Sequence, residues 1–335
     1  MKMIGIKRLG VSPRWHVFWS LFGGVAWGVW MFFPELPLQA SLIGRLMLFC
    51  PLVLFPLVLS IFAKTDTFAE ADLHDWLSWI GVCAPFAAWL GVFAFAFPVG
   101  KVGAALACPW FFVTAALAHI GWKRWWRRGA LLSGEMCVDA GCLYLLVGGM
   151  WFVITRAGHD LGYGHVIARL TAVHFHYAGF SAPVLAGLLG RLLSDKGGSV
   201  RRWYMYAALG LTAAPFLIAI GITLSPLVEF LAALFLISSV LTLAVLTVCW
   251  GLSRVTTSSL WMRWFVRVLL FCSSLCSVVA MGFACLYAYA EIAGVHLISI
   301  PNMLLYHGLV NALGFVGAGV LGWFFMSQST ELIHS

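Results

Sequence analysis

The sequence predicts an all-α protein, a polytopic transmembrane helix bundle of about ten spans with both the N-terminus and the C-terminus in the cytoplasm. The first observation is the composition, because 62% of the 335 residues are hydrophobic and only 10% are charged. So few charges cannot cover the surface of a soluble domain of this size. The second is that apolar runs of about twenty residues recur, each long enough to cross ~30 Å of hydrocarbon as a helix. The third is that the basic residues cluster in short segments between these runs.

The connections between the apolar runs are short, so we predict one integral membrane domain over residues 1–335. The first run follows a basic leader and is longer than the apolar region of a cleaved signal peptide, which favours a retained anchor. The remaining runs are separated by polar or basic segments that mark the ends of helices. In chain order, the predicted spans are 15–33, 41–63, 76–98, 102–122, 133–155, 168–193, 203–224, 226–252, 264–290 and 302–326.

Lys and Arg residues are distributed unevenly between the two sides of this arrangement. With the N-terminus inside, all but four of the 20 basic residues fall on the cytoplasmic side. This bias supports an even number of spans and a location in the bacterial cytoplasmic (inner) membrane. It also accounts for the formal net charge of +8, so the predicted partner is the lipid bilayer and no nucleic acid. The exceptions are Arg45, Lys101, Arg156 and Arg169.

The sixth span carries two histidines, His174 and His176, within its outer half. Ionisable side chains inside a span cost at least ~2.5–3.5 kcal/mol on insertion scales, so such residues indicate a function. Each helical residue turns about 100°, which points these two side chains about 200° apart. We therefore expect them to face different partners, unless the helix is distorted. Interhelical hydrogen bonding that only fixes packing is the structural alternative.

The tenth span brings a second polar group to a similar depth. His307 and Asn311 are four residues apart and share one helix face. Gly314 and Ala318 continue this face, which predicts a close approach by another helix or by a flat ligand. Since spans 6 and 10 run in the same direction, all three intramembrane histidines are predicted to lie in the outer half of the membrane.

The fifth span carries Glu135 and Asp139 in its inner half, four residues apart and on one helix face. They form a proton path below the histidine layer in one interpretation. In the other, they pair with His119 or with the basic segment after span 4. We expect Asp139, the deeper of the two, to orient the histidines or to move protons.

The polar strings in spans 6 and 10 resemble those of the YndJ-like family of bacterial integral membrane proteins. This resemblance is concentrated in spans 5, 6 and 10, about a quarter of the chain. It implies a membrane protein, but it implies no particular chemistry. The strings are His174-Phe175-His176-Tyr177-Ala178-Gly179-Phe180 and His307-Gly308-Leu309-Val310-Asn311-Ala312-Leu313-Gly314-Phe315.

The first string is also similar to the haem-ligating segment of haem–copper oxidase subunit I. That similarity implies a high-spin haem at His174 and a low-spin haem at His176, on opposite faces of one helix. The chain lacks the His-His pair and the His-Pro-Glu segment of those oxidases. We therefore expect no copper site and no oxygen reduction of that kind.

The leading hypothesis is a membrane protein with an outer-leaflet histidine site that binds a metal ion or haem. The predicted ligands or acid–base groups are His174, His176 and His307, with Asn311 and Asp139 as orienting or proton-moving groups. Imidazole ligates zinc, copper and haem iron alike, so the cofactor stays open. One version of the hypothesis is an enzyme acting on a lipid-soluble small molecule. The alternatives are a proton-coupled secondary transporter that uses the same layer, and a non-catalytic accessory or assembly subunit.

Overall fold

The computed structural model describes residues 12–33, 41–65, 71–129 and 134–329. Within these ranges the chain forms helices joined by short connections, and no strand occurs there. The ten long helices, α1 to α10 in chain order, are Pro13–Phe32, Leu42–Lys64, Ala71–Ala94, Lys101–Arg128, Gly134–Arg156, His165–Leu192, Gly198–Leu224, Pro226–Arg254, Leu260–Ala293 and Ile300–Ser329.

Nine of these described helices are long and apolar enough to cross a membrane, which confirms the predicted fold class. The exception is α1, whose 20 residues include Arg14, His16 and several tryptophans. The orientation of the termini stays a prediction. The basic leader at residues 1–11 and the last residues, 330–335, lie outside the described part of the chain.

Five predicted boundaries differ from the observed ones by more than a turn. Three helices begin earlier than predicted, α3 at Ala71, α7 at Gly198 and α9 at Leu260, and the ends of α3 and α4 also differ. Helix α3 ends at Ala94 instead of residue 98. Phe97 precedes Pro98, and a residue that precedes a proline disfavours helical backbone. Helix α4 runs on to Arg128 instead of ending near residue 122. The basic segment after span 4 is therefore a helical extension, and its side chains project at helical intervals.

The chain divides into two compact units that alternate along the sequence. The first comprises Met1–Ile120 with Leu145–Val173, and the second comprises Gly121–Tyr144 with His174–Ser335. Three helices, α4, α5 and α6, contribute to both units. The prediction of one membrane domain over the whole chain stays a prediction.

The first unit has an aromatic core and a capped helix end. Phe55 and Trp110 are fully buried, with ring centroids 5.1 Å apart. Arg156, the last residue of α5, donates from Nη2 to the carbonyl oxygens of Ala94 and Phe97, both at 2.7 Å. Ala94 is the last residue of α3 and Phe97 lies just beyond it, so the guanidinium satisfies carbonyl groups that lack a helical partner.

The second unit is built on close helix contacts at small residues. A Cβ on Gly314 would lie 2.5 Å from the Sγ of Cys276, so α10 approaches α9 closely at that position, as the small residues of span 10 predicted. Nearby, Ser273 donates to the carbonyl oxygen of Phe315 at 2.6 Å. This hydrogen bond fixes the position of α10 along α9, and thereby the depth of the polar residues of α10.

Candidate functional site

Both helices that carry the predicted histidines depart from α-helical geometry at or next to those residues. In α6, His174 is the last α-helical residue before a π-helical stretch, Phe175–Ser181. In α10, a longer π-helical stretch covers Leu304–Gly317 and includes His307. Stretches of this kind are rare and often mark functional positions, because the wider turn frees backbone groups and redirects side chains. The sequence pattern gave no indication of them.

The two stretches contact each other and bring His174 and His307 together. Their ring centroids are 6.3 Å apart and the ring planes are inclined by 25°. His174 is exposed at the surface of the described chain, whereas His307 is half-buried. The structure therefore joins two of the three predicted histidines in a pair that is accessible from the His174 side.

The protonation of His307 follows from its backbone contact. Its Nδ1 lies 2.9 Å from the carbonyl oxygen of Ala280 in α9. A carbonyl only accepts, so Nδ1 carries the proton in this hydrogen bond. In the neutral ring, Nε2 then has a free lone pair, the arrangement found in histidines that ligate metals or accept protons.

Asn311, one turn further along α10, adds an amide oxygen that can accept a hydrogen bond or bind a cation. Its Oδ1 is buried and has no hydrogen-bond partner among the described residues. An unpaired buried polar oxygen destabilises the protein by about 1–3 kcal/mol, so such an atom indicates a missing donor or cation. Around His307 the site is thus rich in acceptors.

His176 does not join the pair. Its side chain is fully buried, in contrast to exposed His174. Two residues correspond to about half a turn, so the two side chains face different surroundings, as their spacing predicts. Ser181 bonds to the backbone next to it, donating to the carbonyl oxygen of His176 at 2.8 Å. This bond spans five residues and satisfies a carbonyl within the π-helical stretch.

The carboxylates of α5 lie in an ionic network instead of the histidine site. Asp139 has a fully buried side chain and pairs with Arg124 Nη1 at 2.8 Å and with Arg128 Nη2 at 2.6 Å. Glu135 pairs with Arg124 and, through two bonds of 2.6 and 2.9 Å, with Arg191. Of the two interpretations, pairing with the basic residues after span 4 describes this geometry.

The network and the histidine pair are separated along α6. Residue Arg191 of the network lies about 25 Å from His174 at ~1.5 Å per helical residue. The structure therefore does not bring Asp139 to the histidines, and its assignment as a group that orients them stays a prediction. Arg191 is the partner that sequence reasoning missed, because only the packing of α5 on α6 brings it to Glu135.

Metal ligation by three protein side chains finds no ready site in the described part of the chain. No group of three or more His, Cys, Asp or Glu side chains is gathered there in a way that could hold one ion. The prediction of a metal or haem ligated by His174, His176 and His307 together stays a prediction.

Comparison with known proteins gives two matches of the same kind. A family profile described as "YndJ-like protein" matches residues 45–315. A protein named "Uncharacterized membrane protein YndJ", from Bacillus subtilis (strain 168), is 29% identical over 291 residues. That alignment covers 87% of this chain and 49% of the relative, so the chain spans about half the length of the curated relative that it matches. No solved structure matches.

Proposed function

Since the chain belongs to the YndJ-like family of multi-pass membrane proteins, we propose that it binds a transition-metal ion through His174 and His307. The chain is a protein of the bacterial cytoplasmic membrane, and the pair lies on its predicted extracytoplasmic side. The metal is proposed to bind between the two imidazole rings.

The single observation that carries this proposal is the 6.3 Å separation of the ring centroids. Metal–nitrogen bonds of ~2.0–2.1 Å place the centroids of two imidazole rings about 5 Å apart on a tetrahedral ion and up to about 6.5 Å apart on a linear one. Rotation of the exposed His174 side chain would close the remaining distance of about 1 Å to a tetrahedral arrangement. The bond from His307 to Ala280 also sets the tautomer that leaves Nε2 available for an ion.

Two protein nitrogens leave coordination positions open on a four-coordinate ion. The unpaired Oδ1 of Asn311 supports a cation or its bound water nearby. Open positions are the feature that distinguishes catalytic from structural metal sites, so a lipid-soluble small molecule could complete the coordination. Buried His176 lies outside this arrangement, and haem ligation at His176 stays a prediction.

The test is elemental analysis of the full chain after purification in detergent. We expect zinc, copper or iron at close to one ion per chain in the wild type, and loss of most of it in a His174→Ala, His307→Ala variant. The matched control is His296→Ala, an exposed histidine between α9 and α10. Metal-free wild-type protein that also fails to take up added Zn²⁺ would sink the proposal, and so would equal metal content in all three proteins.

Proton-coupled transport is the second candidate, and the π-helical stretches favour it. Phe175–Ser181 and Leu304–Gly317 interrupt two apolar helices at the level of the histidines. Interrupted spans at corresponding positions commonly form the binding sites of secondary transporters. A proton would then take the place of the metal ion at Nε2 of His307. Flux in proteoliposomes that follows an imposed pH gradient and is lost in His307→Ala would support this candidate, whereas flux that is unchanged in the variant would contradict it.

A further inference from the structure

A small cavity lies within the second unit, between residues of α6, α8, α9 and α10. Its volume of about 20 Å³ is sufficient for one species of the size of a water molecule. Most of its lining is apolar, but the lining also includes four hydroxyl residues, Thr247 on α8 and Ser273, Ser274 and Ser277 on α9. The three serines are buried. The cavity thus brings polar oxygens together within apolar surroundings.

The four hydroxyl groups present acceptor oxygens, because each donates its proton to a backbone carbonyl. Ser273 donates to Phe315 on α10 at 2.6 Å. The other three bonds stay within one helix, from Ser274 to Leu270 at 3.0 Å, from Ser277 to Ser274 at 2.8 Å and from Thr247 to Leu243 at 2.9 Å. A hydroxyl group has one proton and two lone pairs, so an oxygen whose proton is used can only accept. The remaining lone pairs are available to a ligand in the cavity.

The backbone around the cavity keeps space beside these oxygens. Gly319 of α10 is part of the lining, and a Cβ at this position would lie 2.9 Å from the Oγ of Ser273. A larger residue would therefore occupy the space next to this hydroxyl group. In α8, Thr247 is the first residue of a π-helical stretch, Thr247–Gly251. Such stretches are rare and frequently lie at functional sites, which favours a bound ligand over a packing defect.

The oxygens and their depth identify the kind of ligand. Hard cations take oxygen ligands in proteins. Among the described residues that line the cavity there is no carboxylate, whereas Ca²⁺ and Mg²⁺ are bound mainly through carboxylates. Neutral oxygens therefore favour an ion with a single charge. Ser273 and Ser277 lie near the middle of α9, Leu260–Ala293, the level at which many transporters bind a coupling ion.

From these observations we infer that the cavity binds an alkali-metal cation, Na⁺ or K⁺. The hydroxyl oxygens of Thr247, Ser273, Ser274 and Ser277 are its side-chain ligands. The site is separate from the histidine pair, because Phe315, which lines the cavity, lies eight residues after His307 along α10. Binding of this ion therefore does not require the proposed transition-metal site.

The experiment measures the unfolding midpoint of the full chain in detergent while Na⁺ or K⁺ replaces choline at constant ionic strength. An ion that binds only the folded protein raises this midpoint as its concentration rises. We expect Na⁺ or K⁺ to do so in the wild type, with an apparent affinity about tenfold weaker or more in Thr247→Val. The matched control is Thr242→Val. Thr242 lies on the same helix and donates to the carbonyl oxygen of Ser238 at 2.8 Å, but it does not line the cavity, so the control should respond like the wild type.

A second variant and a direct measurement protect the test against misfolding. Ser277→Ala removes a hydrogen bond that lies within α9 and keeps the contact between Ser273 and Phe315. Binding of the radiolabelled cation to the purified chain should weaken in Ser277→Ala and stay unchanged in His174→Ala, His307→Ala. A wild-type midpoint that responds to neither Na⁺ nor K⁺ beyond choline would overturn the inference. So would equal cation binding by the wild type, Thr247→Val and Ser277→Ala.

Discussion

Replacing Asp139 with alanine removes a fully buried carboxylate from between two arginines. The carboxylate oxygens lie 2.8 Å from Arg124 Nη1 and 2.6 Å from Arg128 Nη2. The variant leaves Arg128 without its bond to the network and Arg124 with Glu135 as its remaining network partner. We expect both guanidinium groups to be poorly compensated, because most of each side chain is buried.

The magnitude follows from the burial of each partner. Removing one partner of a buried ion pair destabilises a protein by about 3–5 kcal/mol. The arginine side chains are 11% and 24% exposed, so water compensates part of the loss, and we expect about 3 kcal/mol for Asp139→Ala. Asp139→Asn keeps an acceptor of the same shape but loses the charge, so its expected effect is about 1.5–3 kcal/mol.

The assay is equilibrium unfolding in mixed micelles, with rising dodecyl sulfate and tryptophan fluorescence as the signal. Asp195→Asn serves as the control, because Asp195 bonds Arg254 at 2.7 Å but is 64% exposed, and exposed pairs contribute little. We expect the control to unfold at the wild-type midpoint. A change smaller than about 0.5 kcal/mol for Asp139→Ala would refute the argument that the network stabilises the second unit.

Two further predictions concern other parts of the second unit. Gly187→Ala would place a Cβ 2.7 Å from a backbone oxygen of α5, so we expect destabilisation of about 1–3 kcal/mol in the same assay. Gly282 has open space around it, so the control Gly282→Ala should not destabilise the protein. An equal loss of stability in both variants would contradict this reasoning. The hydrogen bond from Arg254 holds the pKa of Asp195, in the loop between α6 and α7, below its ordinary value. A carboxyl group whose pKa is lowered in the folded state contributes stability above its ordinary pKa of ~3.9. This contribution is lost as the pH falls through the folded-state pKa. Any midpoint difference between the wild type and Asp195→Asn should therefore shrink on acidification, and a difference that grows would contradict the sign.

The helices could be predicted from the sequence because the requirement of the bilayer is simple. Each apolar run must satisfy its own backbone, and a helix of about twenty residues does so. The ends were less predictable. The basic residues 123–128 read as a loop because they are polar, but they continue α4 because Arg124 and Arg128 find partners on α5. This stabilisation comes from contacts with another helix, so it leaves no periodic pattern in the sequence of α4 itself.

The candidate site was predictable in part for the same reason. Depth in the membrane follows from position along a span, so His174 and His307 could be expected at one level. Their pairing depends on the contact between the two π-helical stretches, which hydrophobic periodicity does not encode. Arg191 reaches Glu135 only through the packing of α5 on α6, where Gly187 allows the helix backbones to approach closely.

X-ray absorption spectroscopy on the purified, Zn²⁺-loaded full chain would show whether His174 and His307 share a metal ion. We expect two imidazole nitrogens at ~2.0–2.1 Å from the ion, with light atoms as the remaining ligands. We also expect one imidazole fewer in His307→Ala. A spectrum without imidazole scattering, or one that is identical in His307→Ala and the wild type, would contradict the shared metal ion.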